Sequence, residues 1–367
     1  GGLENLGGTT LINEEGLIVS TKALTVLTEN VINILGEIYS QERLTFKGRT
    51  LDNKEGLIHT AGGITMEVTD IINKSGYILA NGISKEAADA EDEEATNSES
   101  KDTDLVDEEE IKESTELAAN EEKTEENEKG IYEGIDITGN SLDNTEGKIK
   151  TIGDVNISVN AVLNISGVIL GDNIKFQGKT LDNTEGSITG TTVSMEVSDK
   201  IDNTKGEIIG IDSLEANTDT LVNVEGVVVS NGSLGLTTDT LDNTKGEIIG
   251  GLENLGGTTL VNEEGLIVST KALTVLTENV TNILGEIYSQ ERLTFKGTTL
   301  DNKEGLIHTA GGITLEVTDI INKSGYILAN GISKEVADAE DEPKEESKET
   351  DLAENKEDSD KKESDES

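Results

Sequence analysis

The chain has 367 residues, with 29 basic against 75 acidic side chains, a net charge of −46 at pH 7, no Cys, no Trp and a single Pro. Such a charge excludes a nucleic-acid binder, which needs a basic face, and docking on anionic lipid. The missing Cys exclude a disulfide framework, a cysteine-ligated zinc and thiol catalysis, and no apolar run approaches the roughly 18 residues of a membrane span.

The chain starts at Gly1 with neither an initiator Met nor a signal peptide, which marks it as an expected internal fragment. An apolar–x–Asn–x–x–Gly–x–apolar unit first occurs as Leu11-Ile12-Asn13-Glu14-Glu15-Gly16-Leu17-Ile18. It returns at Asn33, Asn53 and Asn73, with Gly36, Gly56 and Gly76. Residues 84–130 interrupt it with 20 acidic and 5 basic side chains. Few large apolar residues occur there, so the segment cannot offset its chain entropy by burial and reads as a disordered insertion. The unit resumes within residues 131–332 at Asn144, Asn164, Asn183, Asn203, Asn223, Asn243, Asn262, Asn282, Asn302 and Asn322. The matching glycines are Gly147, Gly167, Gly186, Gly206, Gly226, Gly246, Gly265, Gly285, Gly305 and Gly325. Residues 333–367, with 16 acidic and 6 basic side chains, read as a disordered tail. Repeat units therefore occupy residues 1–83 and 131–332. Successive Asn stand 19 or 20 residues apart, except for 71 between Asn73 and Asn144, so the insertion adds 51 residues and keeps the phase.

Other apolar positions share the period: Leu24, Leu44 and Ile64; Val26, Phe46 and Met66; Val31, Leu51 and Ile71; Ile18, Ile38, Ile58 and Ile78. Within a unit they alternate with polar residues, as in Leu44-Thr45-Phe46, and period two with Val, Ile and Thr indicates strand. Beyond the insertion, Ile135 precedes Leu142 by the same seven residues that separate Leu44 from Leu51. A unit this short buries its apolar side chains only by stacking on copies of itself. The expected fold is all-β: a right-handed parallel β-helix, a β-solenoid of about 14 rungs, roughly 65 Å long at a strand spacing of about 4.8 Å. The one proline, Pro343, lies in the acidic tail, as expected if every strand must donate its ladder bonds.

The fourteen Asn are expected to form a structural column in which amide hydrogen bonds pass from rung to rung and cap turn backbone groups. The fourteen glycines are expected to hold positive φ in the turns. Two residues after the Asn, the series Glu185, Lys205, Glu225, Lys245 and Glu264 alternates in sign, an arrangement that limits self-repulsion. Residues 1–93 recur as 250–342 with five differences, a tandem duplication. The rod copies keep register, whereas the acidic copies drift in length.

Leu142-Asp143-Asn144-Thr145-Glu146-Gly147-Lys148-Ile149, Leu181-Asp182-Asn183-Thr184-Glu185-Gly186-Ser187-Ile188 and Leu241-Asp242-Asn243-Thr244-Lys245-Gly246-Glu247-Ile248 resemble the 20-residue haemagglutinin repeat of filamentous haemagglutinin-like bacterial exoproteins. The resemblance covers everything except the acidic segments. It implies a β-helical filament exported through a two-partner secretion pore in the outer membrane, and so a secreted or cell-surface location. It implies the role of a structural filament in an adhesin that attaches to host cells or other bacteria through an unknown receptor, or else the stalk of a contact-dependent growth-inhibition toxin.

Catalytic chemistry is thinly represented. His59 and His308 are copies 249 residues apart, in the column of Val19, Tyr39 and Leu79, and read as rung-surface residues. Gly178-Lys179-Thr180 mimics the end of a phosphate-binding loop, but the leading Gly would fall at Asn173. The sequons at Asn73 and Asn164 use Asn of the column. A polysaccharide-active β-helix enzyme would need clustered Asp, Arg, Lys or His beside aromatics, and Arg occurs only at positions 43, 49 and 292. No catalytic residue, metal ligand or cofactor is expected, and no nucleic-acid partner or membrane insertion. Beyond Ser367 the rod is expected to resume with another Leu-Asp-Asn-Thr-x-Gly unit.

Overall fold

A computed structural model of the chain describes residues 2–90 and 133–332. These residues form a parallel β-solenoid of about fourteen turns, whose 25 strands join in one sheet. Each strand pairs in parallel with its counterpart one turn away: Leu24 with Leu44, Val26 with Phe46, Val31 with Leu51, and Ile18 with Ile38. The stack crosses the insertion without slipping, because Ile64 pairs with Ile135 and Ile71 with Leu142. Inside, equivalent side chains pile into apolar columns. Val26, Phe46, Met66 and Ile137 form one, and Ile38, Ile58, Ile78 and Ile149 another, all at 0% exposure. Burying a Leu, Ile, Val or Phe stabilises by about 1.5–3 kcal/mol. Because each interior position belongs to a column, that gain repeats at every turn.

Two kinds of turn occur in separate blocks along the rod, and they differ at one corner. In the outer turns a four-residue strand such as Leu57–Thr60 is separated from the nine-residue strand that follows it, Ile64–Ile72. Ser or Thr ends the short strand. Ser269 Oγ accepts the Lys271 N–H at 3.0 Å and donates to the Leu252 carbonyl at 2.6 Å, which closes a tight corner. In the central turns, strands of 15 or 16 residues such as Val168–Asp182 and Ser187–Asp202 run through that corner. There the column reads Gly171, Gly190, Gly210, Ser230 and Gly250. Without a hydroxyl to bind the backbone, the strand continues. Ser230 is the exception in residue type: it brings a hydroxyl to this corner, yet its strand is continuous and its Oγ is buried with no hydrogen-bond partner.

The acidic insertion was expected to start at residue 84, yet Lys85–Ala90 is an α-helix seated on the rod. A six-residue helix has too few hydrogen bonds to form alone; tertiary contacts hold it, as described below. The remainder of the insertion, and the tail 333–367, lie outside the described residues.

Candidate functional site

The fourteen repeat asparagines stand in one line inside one corner of the rod. Nδ2 of each donates to Oδ1 of the next at 2.7–2.8 Å, giving thirteen links from Asn13 to Asn322. The link from Asn73 to Asn144 closes at 2.7 Å across 71 residues of sequence. The second N–H of each amide turns back to the carbonyl of its own repeat glycine, as from Asn53 to Gly56 at 3.2 Å and from Asn203 to Gly206 at 3.0 Å. From Asn33 to Asn302 both donors and the acceptor of each buried amide are thus used, which removes the penalty of burying it. The N–H groups that make the Asn–Asn links all point toward the C-terminal turns, so the amide dipoles align and polarise one another.

The repeat glycines do not hold positive φ, contrary to expectation. The left-handed residue is the one before: Glu15, Leu35, Glu55 and Ser75 have φ of 49–54°, and the corresponding residue in every later repeat is alike. Glycine is required for a different reason. A Cβ on Gly56 would overlap the Asn33 carbonyl and stand 2.5 Å from Asn53 Oδ1. Here the backbone passes against the amide ladder of the turn below, and no side chain fits. The left-handed residue faces solvent, so a non-glycine is accommodated at a strain of about 1–2 kcal/mol.

These left-handed residues include the sign-alternating series. Lys205 pairs with Glu225 at 3.8 Å and Lys245 with Glu264 at 3.7 Å, each reaching to the next turn. The residues flanking four of the Asn also form pairs. Asp182 Oδ1 accepts from Thr184 Oγ1 at 2.6 Å and from its N–H at 3.0 Å, and Asp202–Thr204 and Asp242–Thr244 repeat the motif. In other turns both flanks are apolar, as with Val222 and Val224. Burial pushes the Asp202 carboxyl up, but hydrogen bonds from Lys200 and Thr204 outweigh it and leave the group below the ordinary aspartate range. Asp143 is held low in the same way by Thr145 and Lys74.

His59 and His308 occupy identical surroundings. Each ring lies against a tyrosine of the preceding turn, Tyr39 at 4.7 Å and Tyr288 at 4.6 Å between centroids. Nε2 meets Glu37 Oε1 at 2.8 Å and Glu286 Oε1 at 2.7 Å. They belong to an outward face whose columns also carry Val168, Leu170, Val227, Val229, Ile249 and Leu266. That face is far more apolar than the threonine-rich outward face of Thr25, Thr45 and Thr65. Asn73 and Asn164, the sequon positions, are sealed in the ladder at 0% exposure. A Cβ on Gly178, from the discarded phosphate-loop match, would overlap the Val159 carbonyl, so this glycine serves rung packing. The surface notch lined by Gly8, Leu27, Thr28, Glu29, Lys47, Gly48 and Arg49 is wide open to solvent. Among the described residues no group of three or more His, Asp or Glu converges on a metal position, and no helix is long and apolar enough to cross a membrane.

The contact that sequence reasoning missed is the seat of the helix Lys85–Ala90. Ala88 is fully buried, Tyr77 Oη donates to Asp89 Oδ1 at 2.7 Å, and Lys150 Nζ donates to the Ala88 carbonyl at 2.8 Å. A signal was present: Lys148 and Lys150 fill two outward positions that tyrosine and leucine fill one turn earlier, at Tyr77 and Leu79.

The model of a family described as haemagglutinin repeat matches residues 41–90, 114–205 and 199–339, well over half of the chain. Searches of curated proteins and of solved structures gave no match.

Proposed function

The chain belongs to the haemagglutinin repeat family, and from that premise we propose that it is a filament segment of a secreted or surface-bound bacterial adhesin that attaches to host cells or other bacteria. The observation that carries this reading is the unbroken asparagine ladder, with thirteen links through every turn from Asn13 to Asn322. A rod with one continuous internal hydrogen-bond line is suited to holding a binding surface at a distance from its anchor. Export through an outer-membrane two-partner secretion pore suits a chain without Cys, which cannot be trapped by disulfides on the way out. The outward face of Tyr288, His308 and their apolar neighbours is the surface we assign to contact with a receptor.

The test is adhesion. The labelled chain should bind host cells or bacteria saturably, and Tyr288→Ala with His308→Ala should weaken binding without changing β circular dichroism. Binding no greater than that of an unrelated acidic protein, on both cell types, would refute the adhesive reading.

A further inference from the structure

The helix Lys85–Ala90 is gripped at its C-terminal end by one strand of the rod. Lys148 Nζ donates to the Ala88 carbonyl at 3.3 Å and pairs with Asp89 Oδ1 at 2.8 Å. Lys150 Nζ donates to the same carbonyl at 2.8 Å. Tyr77 adds its hydroxyl to Asp89 at 2.7 Å and offers its ring to Lys85 Nζ at 4.8 Å. The last turn of a helix leaves carbonyls without intrahelical partners and carries partial negative charge. Two ammonium groups from Lys148-Ile149-Lys150 answer both. Ala88 is 0% and Lys150 1% exposed, so the seat selects a small side chain followed by an aspartate.

The sequence Ser84–Glu91 occurs again as Ser333–Glu340, altered only by Val336 in place of Ala87. Ala87 is exposed on the helix, so valine fits there, while Ala337 and Asp338 repeat the gripped pair. Lys-Ile-Lys, by contrast, occurs once, at 148–150. Within residues 1–367 the helix sequence thus occurs twice and Lys-Ile-Lys once. We propose that Tyr77, Lys148 and Lys150 form a peptide-docking site, and that its partner in trans is residues 333–340 of a second copy of this chain, taking the place of Lys85–Ala90. The exchange links one acidic rod to another through a local cationic seat, and its charge pairing makes it sensitive to salt. This inference goes beyond the adhesive reading and stands apart from it.

The probe is a fluorescein-labelled peptide of residues 333–340, titrated with the whole chain. In the unaltered chain the tethered helix competes at high effective concentration, so vacating the seat should tighten peptide binding at least about tenfold. Ala88→Arg and Asp89→Lys vacate it independently, and both lie outside the rod strands, so β circular dichroism should be unchanged. Adding Lys148→Glu and Lys150→Glu to either variant should abolish binding, as should Asp338→Lys in the peptide. Binding that is no tighter to both vacated variants, or that survives loss of the two lysines, overturns the proposal.

Discussion

Gly36 lies so close to Asn13 that a Cβ on the glycine would overlap the asparagine carbonyl and stand 2.6 Å from its Nδ2. The preceding residue, Leu35, holds φ of 53° with its side chain 54% exposed. The two neighbours are therefore constrained in opposite ways. Gly36→Ala should destabilise the rod by about 3 kcal/mol, because the clash is with backbone and cannot be relieved by a rotamer change. Leu35→Gly should stabilise it by about 1 kcal/mol by relieving left-handed strain. Chemical denaturation of both variants checks the pair, and equal signs would contradict this account.

The ladder predicts a positional gradient. Asn223→Ala, in its middle, removes the donor to Asn243 Oδ1 and the acceptor of one Asn203 N–H, while the Gly226 carbonyl keeps its bond from the Glu247 N–H. With each buried orphan costing about 1–3 kcal/mol, the loss should be about 4 kcal/mol. Asn322→Ala removes an exposed side chain, and the partner it leaves can turn to water, so the loss should stay within about 1 kcal/mol. Thermal melts of the two variants give the comparison.

Acid should weaken the rod through the Asp–Thr pairs. Asp202 titrates below the ordinary aspartate value of 3.8 because Lys200 and Thr204 outweigh the effect of its burial. Its contribution is present above that value and is lost as pH falls through the lower folded one. Thr204→Val should therefore be less stable than the parent at neutral pH, and the gap should close in strong acid. Melting temperatures across pH test the sign; a gap that widens in acid would be inconsistent with the pairing.

Ser230 buries a hydroxyl without a hydrogen-bond partner in a strand that runs straight through its corner. Ser230→Ala should stabilise by about 1 kcal/mol, since it removes the desolvation penalty and adds no volume. Ser269→Ala, in the equivalent column position, should destabilise by about 1 kcal/mol because its hydroxyl holds both Lys271 N–H and the Leu252 carbonyl. Denaturant midpoints of the two variants should move in opposite directions.

The solenoid and its register could be read from spacing alone. A strand of period two inside a unit of 20 leaves one way to bury Leu24, Leu44 and Ile64 together, and the 71-residue gap places Asn73 on Asn144 before any coordinates are known. The line of asparagines is legible for the same reason, since repetition converts sequence distance into spatial contact. What spacing could not give is contact that repetition does not dictate. The repeat glycine looks like any turn glycine, and only the approach of the Asn33 backbone to Gly56 shows that space, and not φ, demands it. The helix Lys85–Ala90 belongs by composition to an acidic segment too poor in apolar residues to fold. It forms because Lys148 and Lys150, about 60 residues on, are brought beneath its C-terminal carbonyls by the stacking of the rod. Periodic burial is a property of the sequence, whereas a single non-repeated contact depends on which side chains the finished stack brings within hydrogen-bond reach.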